Sequence, residues 1–426
     1  MNRDDFFLTP HPYAVGNRAE EIFYALLLAK REGLKVSLHE HLDSPLLHGY
    51  QLTNSELMHL DSPYFCRSSR IKSYATGLVL SALYLPLRSL SRGLFRVTKK
   101  RLYESFNFPR IGVDRLWVND PHQHKRIFSW AVVESMKWAN QMNDYEPPSI
   151  NTNLSDQCWH FLKRWGICET DWFVCWHVRD SGFRKDKGRR EHRNSDIKNS
   201  ISAIKEVTRL GGWVIRLGDS SMAPLPKMEN VIDYPFLPEK SDLMDLFLIS
   251  QCRLYVGTTS GPMEIAILFA RQMLILNMYD LSGGTLIRDR DRGLPRHVYC
   301  KSQKKFLGLK EVISLMPDLL PAFCDVADNY EMVENTPEEI KLAVIESLTL
   351  VRNSEWPQSH LQKLARLKIK EAAKTIIDRE NYNPVASKIE EVLRFKYKSA
   401  ARLSMESGAI SDFYLNRNWD TDTVNQ

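Results

Sequence analysis

The sequence lacks two features of secreted proteins: closely spaced cysteine pairs, and a basic amino-terminal region followed by an apolar run. Its seven cysteines are scattered without a CxxC pair, and an odd number of cysteines is typical of free thiols in a reducing compartment. Asp4 and Asp5 stand where a secretory signal peptide would carry basic residues ahead of an apolar run. These features argue against a disulfide-rich secreted protein and predict a cytoplasmic one.

The sequence also lacks an apolar run long enough to cross a membrane. The most apolar stretch, residues 74–87, has about 14 residues and contains Pro86, whereas a spanning helix needs about 20. A basic stretch follows it, from Arg88 to Arg101. Two interpretations of residues 74–101 stay open. They form either an interfacial element that contacts anionic lipid at the inner face of the membrane, or a buried helix followed by a solvated basic face.

An excess of charge of one sign is absent as well. Lys and Arg together number 58 and Asp and Glu 52, so the net charge is only +6. Proteins that bind nucleic acids concentrate basic charge on one face. The near balance therefore argues against a nucleic-acid partner.

Several fingerprints of cofactor and metal chemistry are missing. The sequence contains no GxGxxG, GxxxxGK[ST], GxSxG or HExxH motif. The DxD form of a metal–nucleotide motif occurs at 289–291, but it stands in a stretch of alternating charge. The histidine pairs at 39–41 and 122–124 lack carboxylate or cysteine companions at ligand spacing. The sequence therefore predicts neither a metal nor a cofactor.

The first part of the chain, residues 1–150, begins with a helical pattern followed by a short strand at 34–38. Asn17 is the expected N-cap of this helix and Gly33 its expected end. A further helix is predicted from about residue 123 to 142. Loop, helix and strand at this spacing predict the start of an α/β domain.

The rest of the chain divides into two parts. Residues 151–330 alternate apolar strands with helices, which predicts a doubly wound, Rossmann-like sheet. Residues 331–426 carry helical patterns over 336–348, 360–379 and 386–398, which predict a C-terminal helical extension. The expected fold class is therefore α/β with two domains and this extension.

A polar turn follows the apolar strand at 172–178, at the end of the sheet where α/β proteins bind ligands. His177, Arg179, Asp180 and Arg184 supply an imidazole, a carboxylate and two guanidinium groups. This set suits anion binding and proton transfer. A histidine that ends a strand is also often structural, and that alternative stays open.

The next strand end carries Arg216, Gly218 and Asp219. The glycine allows a ligand to approach the backbone closely, so these residues are candidate ligand contacts. The alternative is an Arg216–Asp219 ion pair that closes the turn.

A third strand end is rich in small and hydroxyl residues and leads directly into a helix. Thr258, Thr259, Ser260 and Gly261 form the turn, and Glu264 lies in the first helical turn. Exposed N–H groups, hydroxyl donors and the helix dipole favour phosphate at such a junction. A tight turn inside a core is the alternative.

These segments together resemble a family of bacterial glycosyltransferases from surface-polysaccharide clusters. More distantly, the His-x-Arg element and the Gly-Thr-x-Ser loop resemble the fucosyltransferase superfamily. That resemblance implies a GT-B fold, with two Rossmann-like domains facing across a cleft, and a donor used without an obligatory metal. It also implies that Arg179 binds the donor diphosphate and that Thr259 and Ser260 line the phosphate loop. The motif normally continues Arg-x-Gly-Asp or Arg-x-Thr-Asp, whereas Asp180 directly follows Arg179 here, so the resemblance extends neither to the sugar nor to a base.

The sequence thus predicts a metal-independent glycosyltransferase that moves a sugar from a nucleotide-diphosphate donor to a glycan or lipid-linked acceptor. Arg179 is a predicted catalytic residue, His177 and Asp180 are the candidate bases, and Gly16, Asn17 and Arg18 are expected on the acceptor side. The expected donor-binding residues are Arg179, Arg184, Asn194, Arg216, Gly218, Asp219, Thr258, Thr259, Ser260, Gly261 and Glu264. A sugar-nucleotide epimerase or pyruvyl transferase on the same fold, or a nonenzymatic nucleotide- or glycan-binding protein, are the alternatives.

Overall fold

The computed structural model of this chain divides into two compact units. One comprises residues 1–155 with 267–270, and the other residues 156–266 with 271–426. The structure describes residues 5–8, 10, 14–33, 35–38, 54–66, 116–119, 125–128, 145–180, 193–279, 281, 286, 288, 290–319, 329–352, 358–378 and 408–420.

The first unit begins with a strand–helix–strand motif. Strand β1 (Asp5–Leu8) pairs in parallel with β2 (Lys35–Leu38), and helix α1 (Val15–Glu32) connects them. The apolar face of α1, which includes Ile22 and Phe23, is buried. The helix ends at Gly33 as predicted, because Gly33 adopts a φ of 65°, where residues with a Cβ are disfavoured.

Two predictions for the first unit are wrong in detail. Ala14, not Asn17, is the N-cap of α1, and Asn17 lies inside the first helical turn. The predicted helix over 123–142 is interrupted at its start, because Lys125–Phe128 is strand β4 and pairs antiparallel with β3 (Leu116–Asn119). That pairing depends on a partner strand that helical periodicity cannot reveal.

The second unit contains a seven-stranded sheet in which all neighbouring strands are parallel. Every residue of the long central strands β5, β8 and β9 is buried. Continuous apolar strands of this kind belong to sheets covered on both faces, so the predicted α/β class is confirmed. The strands are β5 (Phe173–His177), β6 (Trp213–Arg216), β7 (Val231–Asp233), β8 (Leu254–Thr258), β9 (Met273–Met278), β10 (Arg292–Pro295) and β14 (Ala409–Ile410).

The helices of this part of the chain alternate with the strands and continue after them. Ser241 caps α4, because its hydroxyl accepts a hydrogen bond from Met244 N–H at 3.2 Å. The helices are α2 (Thr152–Arg164), α3 (Ile201–Arg209), α4 (Asp242–Gln251), α5 (Gly261–Leu268), α6 (Leu309–Leu319), α7 (Pro337–Arg352), α8 (His360–Asp378) and α9 (Asp412–Asn418). No helix within the described residues is long and apolar enough to span a bilayer.

The region after residue 330 contributes strands as well as the predicted helices. Strand β13 (Tyr330–Val333) pairs with β11 (His297–Cys300), which also pairs with β12 (Lys305–Phe306), and β14 forms one edge of the large sheet. These strands are too short for an alternating pattern to show in the sequence. The helical pattern at 386–398 lies outside the described residues.

The order of strands across the large sheet fixes where a ligand can bind. The order is β7-β6-β5-β8-β9-β10-β14, so the chain moves outward in one direction from β5 and then returns to β8 on its other side. In open α/β sheets this reversal leaves a crevice beyond the carboxyl ends of the two central strands. Here those strands are β5 and β8.

Candidate functional site

The two turns beside this reversal carry the residues that sequence analysis singled out. β5 ends at His177 and β8 at Thr258, and His177 pairs with Gly257 across the two strands. A Cβ on Gly257 would lie 2.6 Å from the carbonyl oxygen of His177, so only glycine permits the observed approach. The turns that follow the two strands therefore emerge side by side.

Hydrogen bonds join the two turns. The Arg179 N–H donates to Thr258 Oγ1 at 3.0 Å, and Ser260 Oγ lies 3.0 Å from His177 Nδ1. Ser260 Oγ also donates to the Thr258 carbonyl at 3.0 Å. The structure thus brings His177, Arg179, Thr258 and Ser260 together at one sheet edge, and Asp180 follows in the same turn, partly exposed.

His177 is held neutral in this arrangement. Burial, and secondly the charge of Arg216, lower the pKa of His177 to about 4. Ser260 Oγ has one proton for two neighbours at 3.0 Å: when the proton points to the Thr258 carbonyl, the neutral imidazole donates from Nδ1 to Ser260 Oγ. His177 therefore fixes the Ser260 side chain at the start of α5.

Arg216 has a structural role at the end of β6. It is 1% exposed, and its Nη1 donates to Asp233 Oδ1 at 3.0 Å and to the Ala223 carbonyl at 2.7 Å. The predicted ion pair with Asp219 is replaced by this pair with Asp233, the residue opposite Arg216 in β7. Its Nε is buried without a hydrogen-bond partner among the described residues, and the donor-binding role of Arg216 stays a prediction.

Gly218 and Asp219 shape the same turn. Gly218 has a φ of 147°, and a Cβ there would lie 2.3 Å from Met222 Sδ, so the turn requires glycine. Asp219 Oδ1 accepts a hydrogen bond from Ser221 N–H at 2.9 Å. These contacts are local to the turn, and the donor-binding role of both residues stays a prediction.

The remaining donor-side candidates lie around the start of α5. Thr259 and Gly261 are partly exposed, and Glu264 lies in the first turn of the helix. Asn194 lies between Arg193 and Ser195, whose side chains form hydrogen bonds at this edge. Its Oδ1 is buried without a hydrogen-bond partner among the described residues. Arg184 lies outside the described residues.

Two residues at this edge were not on the predicted list. Arg193 Nη2 donates to the Thr259 carbonyl at 2.8 Å, and Arg296, just after β10, donates to Ser195 Oγ at 3.1 Å. Arg193 directly precedes Asn194, a predicted donor-binding residue, and could have been chosen on that ground. Arg296 follows a stretch of mixed charges and carried no sequence signal that separates it from its neighbours.

The predicted acceptor-side residues belong to the first unit. Gly16, Asn17 and Arg18 lie in the first turn of α1, and Arg18 is fully buried with its Nη1 donating to the Asn54 carbonyl at 3.3 Å. Their role toward an acceptor stays a prediction. The predicted membrane element, residues 74–101, lies outside the described residues.

Asp291 of the DxD sequence lies at the amino end of the sheet. Its carboxylate is fully buried, accepts a hydrogen bond from Met273 N–H at the start of β9 and pairs with Arg288. Asp289 lies outside the described residues. In the part of the chain that the structure describes, no three His, Cys, Asp or Glu side chains form a group that could hold a metal ion.

Comparisons with known proteins give distant structural similarity. No family model matches the sequence, and no curated protein is significantly similar to it. A glycosyl transferase family 9 protein from Veillonella parvula is 11% identical, with 64% of this chain and 79% of that chain covered and a TM-score of 0.35. The ADP-heptose LPS heptosyltransferase II of E. coli is 13% identical, with 64% and 84% covered and a TM-score of 0.33. A UDP-GlcNAc 2-epimerase from Neisseria meningitidis is 12% identical, with 82% and 99% covered and a TM-score of 0.31. At these identities and TM-scores, the matches assign neither a substrate nor a reaction to this chain.

Proposed function

We propose that this chain is a glycosyltransferase that moves a sugar from a nucleotide-diphosphate donor to a hydroxyl of a glycan or lipid-linked acceptor. One observation carries the proposal. The turn with Arg179 and the turn from Thr258 to Gly261 meet at the strand-order reversal between β5 and β8, joined by hydrogen bonds. This is the position at which α/β sheets bind ligands, and both turns carry groups that bind phosphate.

The donor diphosphate would be held by the Arg179 guanidinium and by the amino-terminal end of α5. As the bond to the sugar breaks, negative charge grows on the departing nucleoside diphosphate. A fixed guanidinium and the positive end of a helix dipole stabilise that charge without reorganisation. Because a side chain and a helix supply this neutralisation, the reaction as proposed requires no metal ion. The carboxylate of Glu264 would accept hydrogen bonds from hydroxyl groups of the donor, because it would repel the donor's phosphates.

Asp180 is the base in this proposal, and His177 positions Ser260. A general base must come within hydrogen-bond reach of the hydroxyl that it deprotonates. His177 is only 6% exposed, and its Nδ1 lies against Ser260 Oγ. Asp180 follows Arg179 directly and is partly exposed, so its carboxylate can accept a proton from an acceptor hydroxyl.

The test is a donor screen that measures released nucleotide. Purified protein is incubated with UDP-, GDP-, ADP-, dTDP- and CMP-linked sugars, with and without glycan or lipid-linked acceptors. We expect one nucleoside-diphosphate donor to release free nucleoside diphosphate slowly in water and faster with acceptor, unchanged by EDTA. Arg179→Ala should abolish the release. Arg209→Ala is the matched control, since the exposed Arg209 side chain pairs with Glu206 within α3.

Other results of the screen would overturn the proposal. Recovery of an intact nucleotide sugar with an inverted ring carbon would assign an epimerase instead. Binding of a nucleotide sugar without any consumption would assign a nonenzymatic binding protein.

A further inference from the structure

The segment Arg193–Ser195 crosses the carboxyl ends of neighbouring strands and contacts the residues that follow them. The Ser195 N–H donates to the Arg179 carbonyl at 2.9 Å, just after β5. Arg193 Nη2 donates to the Thr259 carbonyl at 2.8 Å, just after β8. The segment therefore holds the backbone of both turns of the proposed donor site.

The same segment is anchored on the next two strands of the sheet. Asn277, in β9, donates from Nδ2 to Ser195 Oγ at 3.0 Å. Arg296, just after β10, donates from Nη2 to Ser195 Oγ at 3.1 Å and to the Asn194 carbonyl. β5, β8, β9 and β10 are consecutive in the sheet, so the segment runs along its edge from the donor site to Arg296. We call residues 193–195 the edge brace.

Arg296 is the far anchor of the edge brace, and its setting is unusual for an arginine. It is 6% exposed, and its Nε has no hydrogen-bond partner among the described residues. Burial lowers the pKa of Arg296, and only the more distant charge of Glu334 opposes that effect. No ion pair within the described residues includes it, so its bonds go to neutral atoms of the brace. A buried cation that stabilised the fold alone would gain more from a carboxylate partner.

We propose that Arg296 is a positioning residue of the donor site, which acts through the edge brace on Arg179 and Thr259. The inference rests on the proposed function, because it assigns the brace to the site that binds the donor diphosphate. Without Arg296, Asn194 and Ser195 lose two hydrogen bonds from a charged donor, and the brace no longer fixes both turns.

Arg292 provides a matched control on the same strand. It lies at the start of β10, four residues before Arg296, and it is also buried, with a pKa lowered by burial. Its guanidinium bonds Glu346 at 3.3 Å, at the opposite end of the strand from the donor site. Loss of Arg292 should therefore weaken the fold without reaching the brace.

The experiment measures pyrophosphate binding by isothermal titration calorimetry, with UDP and GDP as further probes, for wild-type protein, Arg296→Ala, Arg296→Lys and Arg292→Ala. We expect Arg296→Ala to weaken pyrophosphate binding about tenfold, in line with the loss of hydrogen bonds from a charged group. Arg296→Lys should recover part of the loss, and Arg292→Ala should bind as the wild type does. In the donor assay, Arg296→Ala should raise the donor KM more than it lowers kcat.

Amide hydrogen exchange at Ser195 separates failure of the brace from failure of the proposed function. We expect exchange about tenfold faster in Arg296→Ala and unchanged in Arg292→Ala, since the Ser195 N–H is held by the Arg179 carbonyl. Equal pyrophosphate affinity in wild type and Arg296→Ala would overturn the positioning role and leave the donor site in place. Absence of pyrophosphate and nucleotide binding by wild-type protein, with fast Ser195 exchange in Arg296→Ala, would overturn the donor site while the brace stands.

Discussion

The two ends of strand β10 each have a buried arginine, and the two guanidinium groups meet different partners. At the amino end, Arg292 pairs with the Glu346 carboxylate and donates to the Asp291 carbonyl. At the carboxyl end, Arg296 donates to a carbonyl and a hydroxyl, and it is part of no ion pair within the described residues. The first charge is neutralised inside the fold, whereas the second is not.

This difference distinguishes an arginine that stabilises the fold, Arg292, from one that we propose positions the donor site, Arg296. The amino edge also holds Asp291, a carboxylate that ties the start of β9 to Arg288. Arg292 and Asp291 have oppositely charged partners within the fold, whereas Arg296 donates its hydrogen bonds to the edge brace that holds both turns of the proposed donor site. The carboxyl edge is also the edge at which open α/β sheets bind ligands.

The sharpest test of the comparison is the stability of the two arginine variants. Arg292→Ala should lower the free energy of unfolding by about 4 kcal/mol, because it leaves the buried Glu346 without its cation. Arg296→Ala should cost about 2 kcal/mol, because only hydrogen bonds to neutral atoms are lost. Urea unfolding measures both values. A larger loss in Arg296→Ala than in Arg292→Ala would contradict the distinction between the two ends.

A second test uses the opposite pH responses of the two edges. The pKa of His177 at the carboxyl edge is lowered to about 4, so between about pH 6.5 and 4 the unfolded chain binds more protons and stability falls with decreasing pH. At the amino edge, burial raises the pKa of Asp291, so the contribution of Asp291 to stability increases as the pH falls. Relative to His177→Gln, the wild type should lose about 3 kcal/mol over that window. Equal pH dependence of unfolding in both proteins would mean that His177 is not held neutral by the fold.

The long apolar strands of the large sheet, and the edge at which their turns lie, can be predicted from the sequence, whereas the short strands β10 and β14 were not predicted. The continuous apolar run at 172–178 predicted β5 because a strand buried on both faces needs no polar alternation. Since all these strands are parallel, any two turns that follow them lie at the same edge. That reasoning is enough to place Arg179 and Ser260 at one edge of the sheet.

The order of the strands and the contacts between distant residues could not be predicted from the sequence. Nothing local indicates that β5 lies beside β8, that Arg216 pairs with Asp233, or that Arg296 reaches Ser195 across the sheet edge. These contacts form between residues far apart in the chain, whereas periodicity and motifs report only near neighbours. The N-cap of α1 was mistaken for a related reason, because Asn17 is a good cap by type but the helix begins before it.

A third test compares two buried strand glycines. A Cβ at Gly257 would meet the His177 carbonyl oxygen at 2.6 Å, whereas one at Gly293 would meet the flexible end of Met278. Gly257→Ala should cost about 2 kcal/mol, because backbone atoms of two paired strands must move, and Gly293→Ala should cost less. Thermal unfolding gives the stability change and pyrophosphate titration the site effect. If Gly257→Ala bound pyrophosphate as tightly as the wild type, the close approach of β5 and β8 would not shape the donor site.

The smallest expected effect distinguishes two buried serine hydroxyls. Ser260→Ala removes the bond to His177 at the start of α5, and Ser250→Ala removes a bond to the Phe247 carbonyl near the end of α4, close to the amino end of β8. Each should lower the free energy of unfolding by about 1 kcal/mol, since each removes one buried hydroxyl that makes two hydrogen bonds. Only Ser260→Ala should weaken pyrophosphate binding, by a few-fold, because only Ser260 stands at the proposed phosphate turn. If both variants lost the same stability and both bound pyrophosphate as the wild type does, the Ser260 hydroxyl would have no role in binding that the Ser250 hydroxyl lacks.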